Sequence, residues 1–168
     1  MAVLDILQYP DQRLKQTSAR VENFDNDLHE FVSDLEQTMR AGPGGVGIAA
    51  PQVGYFFQIA IIDVSARPKT PNNGCLVLVN PELTHWEGMV AGREGCMSIP
   101  DYTGNVIRAQ KIRFIAANLH GEVHEYESEG YEARAVQHEL DHLNGMLFID
   151  RLVSRRNDLF RRKKIDCN

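Results

Sequence analysis

Between Asp25 and Ala41, Leu28, Phe31, Val32, Leu35 and Met39 recur at i, i+3, i+4, i+7 and i+11. That spacing lines one face of an α-helix. Asp25 or Asn26 caps its start, and Gly42-Pro43 stops it. Shorter apolar runs then predict strands at 57–64, 76–80, 84–90, 112–118 and 123–127. Residues 67–74, with two prolines and Asn72-Asn73-Gly74, form a longer connector; His120-Gly121-Glu122 forms a tight turn. A second helix is expected from about Glu132 to Leu143. Its Ala133, Ala135, Val136, Leu140 and Leu143 spread small and apolar residues round the circumference, so it should be buried. A third, basic helix is expected at about 154–165. The pattern predicts an α+β fold, mostly antiparallel strands packed around a central helix, in a single domain over residues 1–168.

The second helix carries His138-Glu139-Leu140-Asp141-His142. Residues four apart share a helix face, with Cβ atoms roughly 5–6 Å apart. Two imidazoles so placed suit one metal ion, and Glu139 suits the role of general base for water, as in H-E-x-x-H hydrolases. The bland alternative is a surface helix with two histidines. A catalytic site of this type usually takes three protein ligands. Downstream of His142 there is no His or Glu, only Asp150, Asp158 and Asp166. Asp150 follows the helix too closely to turn back, and the other two sit among arginines and lysines, as solvated ion pairs do.

Upstream lies Glu94-Gly95-Cys96-Met97-Ser98. Of the three cysteines, Cys167 adjoins the C-terminus and reads as a mobile free thiol. Cys75 opens an apolar run and reads as a small buried hydrophobe. Cys96 lies in a segment with Gly92 and Gly95, where the missing side chains allow close backbone approach, as a loop delivering a thiolate to a metal requires. Taken alone it is more often structural; beside H-E-x-x-H, with no other ligand, it becomes the third ligand. Residues 45–54, GVGIAAPQVG, lack Gly-Lys-Ser/Thr and do not read as a phosphate loop. Their small residues suit close approach to a ligand, with Gln52 as an amide donor.

The three segments together resemble the peptide deformylases: Gly-x-Gly-x-Ala-Ala-x-Gln at 45–52, Glu-Gly-Cys-Met-Ser at 94–98 and Gln-His-Glu-x-Asp-His-Leu-x-Gly at 137–145. The resemblance runs from Leu7-Tyr9-Pro10 to about Leu152. One departure follows the second motif, where many bacterial members carry an Arg near the position of Thr103. The resemblance implies a metallohydrolase that removes the formyl group from formyl-methionine of newly made polypeptides, releasing formate. It implies Cys96, His138 and His142 as metal ligands and Glu139 as proton shuttle. The Gln52 amide and the Met97 backbone N–H become the oxyanion donors. Val46, Gly47, Glu94, Tyr131, Arg134 and Ala135 are its candidate substrate-binding residues. Arg134 either lends its aliphatic stem to the pocket or pairs with an acid at the surface. A Cys-His-His set suggests Zn²⁺ by ligand chemistry, whereas the family implies Fe²⁺, with nickel, cobalt and zinc able to substitute. Rival readings are a zinc endopeptidase, opposed by the missing downstream ligand, and a non-catalytic, metal-stabilised ribosome-binding module, opposed by an intact Glu139.

Composition changes the picture little. A hydrophobic fraction of 43% and a charged fraction of 24% are ordinary for a globular domain. Asp5 arrives too early for a signal peptide, and no apolar run approaches the ~20 residues of a membrane helix. A cytoplasmic protein with neither membrane nor DNA partner is expected. Three cysteines without a framework agree with a reducing compartment. Charge is uneven: residues 151–168 hold seven Lys and Arg against Asp158 and Asp166, a net +5, and the chain's −5 leaves −10 for residues 1–150. A solvated terminal helix is one reading of this tail. Contact with ribosomal RNA through Arg155, Arg156, Arg161, Arg162, Lys163 and Lys164 is the other.

Overall fold

A computed structural model describes residues 2–162. Its elements are α1 (Asn26–Ala41), β1 (Gly47–Ala49), β2 (Ile59–Ile62), β3 (Leu76–Glu87), β4 (Val90–Cys96), β5 (Ile99–Arg108), β6 (Lys111–Ala117), β7 (Val123–Glu129), α2 (Gly130–Leu143), α3 (Arg155–Asp158) and β8 (Leu159–Arg161). The strands form two antiparallel sheets, β1-β2-β3-β6-β7 and β4-β5-β8, so the α+β class and the antiparallel pairing are as expected.

Helix α1 begins where its cap predicts: the Asp25 carboxylate accepts the Leu28 N–H at 3.0 Å. Its buried stripe of Leu28, Val32, Leu35 and Met39 packs on Ile59, Ile61 and Val79. The alternate residues Ala60, Ile62 and Leu78 point to the other side of the sheet, among Ala133, Ala135, Val136 and Leu143 of α2. Period-two alternation thus sends successive β2 side chains to two different helices, and all four residues of the strand are buried. The third apolar cluster, with Leu14, Ile99, Val106, Leu147 and Phe148, lies under the smaller sheet and includes Cys96.

Several boundaries differ from the expectations. The runs at 76–80 and 84–87 belong to one strand, β3, interrupted at Asn80; the expected strand over 84–90 is cut at Gly88, and its last residue, Val90, opens β4. Asn80 has φ 51°, a region Asn tolerates better than most residues, and its amide side chain bonds both the N–H and the carbonyl of Val21. Glu94–Cys96 is the end of β4 rather than part of a loop. The segment carries no apolar alternation; register with β5, Glu94 opposite Gly104 and Gly95 opposite Thr103, makes it a strand.

The expected basic helix over 154–165 is cut to the single turn α3. Residues 159–161 then extend as β8, with Phe160 opposite Thr103, because Leu159 and Phe160 gain a sheet edge and half-buried contacts there. Residues 163–165 of that helix, Lys163, Lys164 and Cys167 lie outside the described residues. Cys75 is exposed, not buried. It precedes the first residue of β3, and its Sγ lies 3.8 Å from an Arg40 nitrogen.

Candidate metal centre

Nearly the whole circumference of α2 is buried, including Arg134, His138, Glu139, Asp141 and His142. Charge and polarity at that depth require partners. The structure supplies them from β4 and β5.

Cys96 ends β4, and His138 and His142 stand one turn apart on α2. One ligand atom from each of the three lies within 4.8 Å of the others, and all three residues are buried. The Cys96 Sγ is 3.4 Å from His142 Nε2 and 3.5 Å from the Gln52 amide nitrogen. The His138 Nδ1 lies 2.8 Å from Glu94 Oε1. Burial would push the Glu94 carboxyl up, but hydrogen bonds from His138 and Arg108 outweigh it and hold the group well below the usual carboxylate range. Glu94 is therefore ionised, Nδ1 donates to it, and Nε2 of His138 is free to face a cation.

The donor set fits a divalent cation. Burial would lower the His138 pKa, yet Cys96 and Glu94 raise it well above the ordinary value, so the space between them favours positive charge. Burial and the neighbouring His138 push His142 the opposite way, which keeps it neutral and able to ligate. Three converging soft and borderline donors, one a thiolate when metallated, are the ligand chemistry of a zinc-like or iron site. Asp150 takes no part: its Oδ2 accepts the Leu147 N–H at 2.9 Å, closing the turn after α2. Asp158 accepts the Ser154 N–H at 3.0 Å, and Asp166 lies outside the described residues.

Glu139 faces the same space. Burial pushes its carboxyl up to about 7, and its Oε2 has no hydrogen-bond partner. Gln52 sits in a 3-10 turn at Ala50–Val53. Its Oε1 accepts the Ala49 N–H at 2.9 Å, which fixes the amide so that Nε2 points at Cys96 and at Ser98 Oγ, 3.1 Å away. Met97 follows Cys96 at the turn into β5.

A cleft of about 530 Å³ opens on these groups and is lined by Val46, Gly47, Met97, Tyr131, Arg134 and Ala135 as well as Gln52, Cys96, His138 and Glu139. Arg134 is buried and pairs with an acid, though not at the surface. Its Nη1 donates to Glu94 Oε2 at 2.7 Å and its Nη2 to the Val90 carbonyl at 2.7 Å. Gly92 makes room for it, since a Cβ there would stand 2.8 Å from the guanidinium carbon. Glu94, expected at the substrate, has both oxygens engaged by Arg108, Arg134 and His138, which places its carboxylate against the His138 ring.

Reading the residues missed three members of this assembly. Arg108, on β5, bridges Glu94 and Asp141, 2.5 Å from the latter; Arg151 meets Asp141 from the other side at 2.8 Å. Ser98 is fully buried against Gln52. The sequence carried no periodic signal for Arg108, which follows two adjacent apolar residues, Val106 and Ile107; only its place in β5 turns it inward. Asp141, enclosed between the two histidines, offers it an acid only once the chain has folded.

The sequence profile of the polypeptide deformylases matches residues 3–158. A peptide deformylase of Alkalilimnicola ehrlichii is 43% identical over 97% of this chain and 89% of its own length. Among solved structures, the peptide deformylase of Thermotoga maritima superposes with a TM-score of 0.84 at 35% identity, covering 92% of this chain and 100% of that one. The Met-Ala-Ser-bound class I type b peptide deformylase of Acinetobacter baumannii superposes with a TM-score of 0.83 at 37% identity, covering 90% and 99%.

Proposed function

Since the chain belongs to the polypeptide deformylase family, we propose that Cys96, His138 and His142 hold its catalytic cation and that Glu139 carries the proton. The enzyme is a metal-dependent hydrolase that removes the formyl group from the N-terminus of newly synthesised polypeptides. A formamide and water become formate and a free amine. The observation that carries the residue assignment is the convergence of three buried donors within 4.8 Å beside a carboxylate whose Oε2 has no partner.

When bound, a divalent cation supplies Lewis acidity that brings water towards deprotonation near neutral pH. Glu139 takes the proton of that water. Oxygen attacks the formyl carbon, and the carbonyl oxygen gains negative charge. The Gln52 Nε2–H and the Met97 N–H are the donors assigned to it; removing one such donor typically costs about 10²–10³ in turnover. Glu139 then returns the proton to the amine nitrogen as the C–N bond breaks. Burial around α2 keeps bulk water from screening these charges. Helix α2 is the central element of this arrangement: apolar packing ties it to the larger sheet, and Arg108, Arg134 and Glu94 tie it to the smaller one.

The methionine side chain enters the cleft beside Val46, Gly47, Tyr131, Ala135 and the stem of Arg134. A relative bound to Met-Ala-Ser supports that reading. The ion is Fe²⁺, with Zn²⁺, Ni²⁺ or Co²⁺ able to replace it, because supply as well as affinity decides occupancy. Anaerobic purification with metal analysis and an assay of formate release from formyl-Met-Ala-Ser tests the whole reading. Absence of formate release from metal-replete protein overturns it.

The enzyme works in the cytoplasm; among the described residues no helix is long and apolar enough to cross a membrane. The tail reaches ribosomal RNA through Arg155, Arg156, Arg161 and Arg162, all exposed, with Lys163 and Lys164 beyond the described residues. Because β8 is paired with β5, charge reversal at those arginines is a cleaner test than deletion of 154–168. It should weaken low-salt co-sedimentation with ribosomes and reduce its salt slope.

A further inference from the structure

Two arginines at the rim of the cleft have no role in the reaction described above. Arg93, on β4, and Arg162, directly after β8, both line the cleft that holds Cys96, His138 and Glu139, and both are exposed. Arg162 is brought there by the pairing of β8 with β5, extended by its own N–H donating to the Asp101 carbonyl at 2.8 Å. Its guanidinium lies over Gly95: a Cβ on that residue would collide with Nη2 and stand 3.4 Å from Cζ. Gly95 precedes Cys96 directly, so this charge sits one residue from a metal ligand.

Arg93 is held in place by neutral groups. Its Nε donates to Asn105 Oδ1 at 3.1 Å, its Nη1 to Thr103 Oγ1 at 3.2 Å, and its Cζ stacks 3.7 Å above the Phe160 ring. Among the described residues neither arginine forms an ion pair. Glu94, the buried acid next to Arg93 in the chain, already has both oxygens engaged by Arg108, Arg134 and His138. Two guanidinium groups are thus oriented at the cleft rim with their charge uncompensated there, a geometry suited to a carboxylate.

We infer that Arg93 and Arg162 form a cationic subsite that binds a carboxylate of the substrate beyond its first residue. The inference rests on the proposed reading of the cleft. With the formyl end at the buried donors, the peptide must leave towards the exposed rim, and its second and third residues pass these side chains. A carboxylate there comes from an acidic side chain or, in a short peptide, from the C-terminus. It also gives Arg162 a task distinct from contact with RNA.

The test compares kcat/KM for formyl-Met-Ala-Ser as free acid and as C-terminal amide. A second arm compares the amides of formyl-Met-Asp-Ala and formyl-Met-Ala-Asp with that of formyl-Met-Ala-Ala, separating side-chain from terminal carboxylates. At low ionic strength the carboxylate-bearing peptide of at least one arm should be preferred by up to about fivefold, the scale of an exposed ion pair, and salt should shrink the ratio. Arg162→Gln should bring that ratio towards one, Arg162→Glu should invert it, and Arg162→Lys should keep most of it. A wild-type ratio of one in both arms overturns the subsite, as does a preference that survives both Arg162→Gln and Arg93→Gln. Formate release from the neutral amide by the wild type separates the two readings. Without it the assignment of the cleft itself fails; with it and a ratio of one, only the subsite falls.

Discussion

The backbone of Gly47 and the carboxylate of Glu139 occupy adjoining space: a Cβ on Gly47 would stand 2.7 Å from Glu139 Oε1 and 3.1 Å from its Cδ. The first strand of the larger sheet therefore positions the Glu139 carboxylate, the proposed general base, through a missing side chain. Any methyl group there must displace either the strand or the carboxylate. A shift of about 1 Å in a reacting group costs on the order of 10² in rate. Gly47→Ala should lower turnover by about that factor while leaving metal content unchanged, because the three atoms nearest the added methyl all belong to Glu139. Wild-type turnover in the metal-replete variant would show that the base is not held this way.

Cys96→Ser should lose most bound metal and activity, since a thiolate ligand is replaced by a hydroxyl of far weaker affinity for such ions. Asp150→Ala should keep both, its carboxylate serving only the Leu147 N–H. Full metal occupancy in the Cys96 variant would sink the ligand assignment.

Glu139→Gln should retain metal and lose about 10² or more in formate release. It also makes a prediction for metal-free protein. Burial raises the Glu139 carboxyl from 4.5 to about 7, so the fold binds more protons than the unfolded chain between those values, and stability falls as pH rises through that window. The glutamine variant has no such loss. Metal-free Glu139→Gln should match the metal-free wild type below about pH 4 and exceed it by about 1–3 kcal/mol above pH 7. Denaturant titrations at both pH values measure this; equal stability at pH 8 would contradict it.

Glu94→Gln removes the acceptor that orients His138 and leaves Arg108 and Arg134 without their shared counter-charge. Loss of such support typically costs 10–100-fold in metal affinity, and breaking a buried ion pair costs about 3–5 kcal/mol. The folded pKa of Glu94 is depressed, so its contribution is full above the unfolded value near 4.5 and is lost as pH falls through the folded one. The variant should be less stable than the wild type at pH 7, with the difference narrowing in acid. A metal-binding titration and pH-dependent unfolding check the two effects separately. Unchanged metal affinity would mean that Glu94 does not orient the ligand.

What could be read along the chain was periodic or chemical. The i, i+3, i+4 stripe and the Asp25 cap locate α1 to within one residue. The all-round small and apolar surface of the second helix marks its burial, and H-E-x-x-H with no downstream His or Glu already turns attention to Cys96. These signals are local: they depend on side chains a few residues apart, and helix or strand period reports them directly. Tertiary structure decided the rest. Gly92-Arg93-Glu94-Gly95 has no strand period and becomes a strand only because β5 supplies its hydrogen-bond partners. The tail predicts a helix from its own residues, yet extends as β8 because a sheet edge offers Leu159 and Phe160 more burial than solvent does. Glu94 reaches His138 across 44 positions, and Arg108 reaches Asp141 across 33. No local spacing encodes such pairs, because charges that cannot remain unpaired in a dry interior find partners only when the two sheets close on α2.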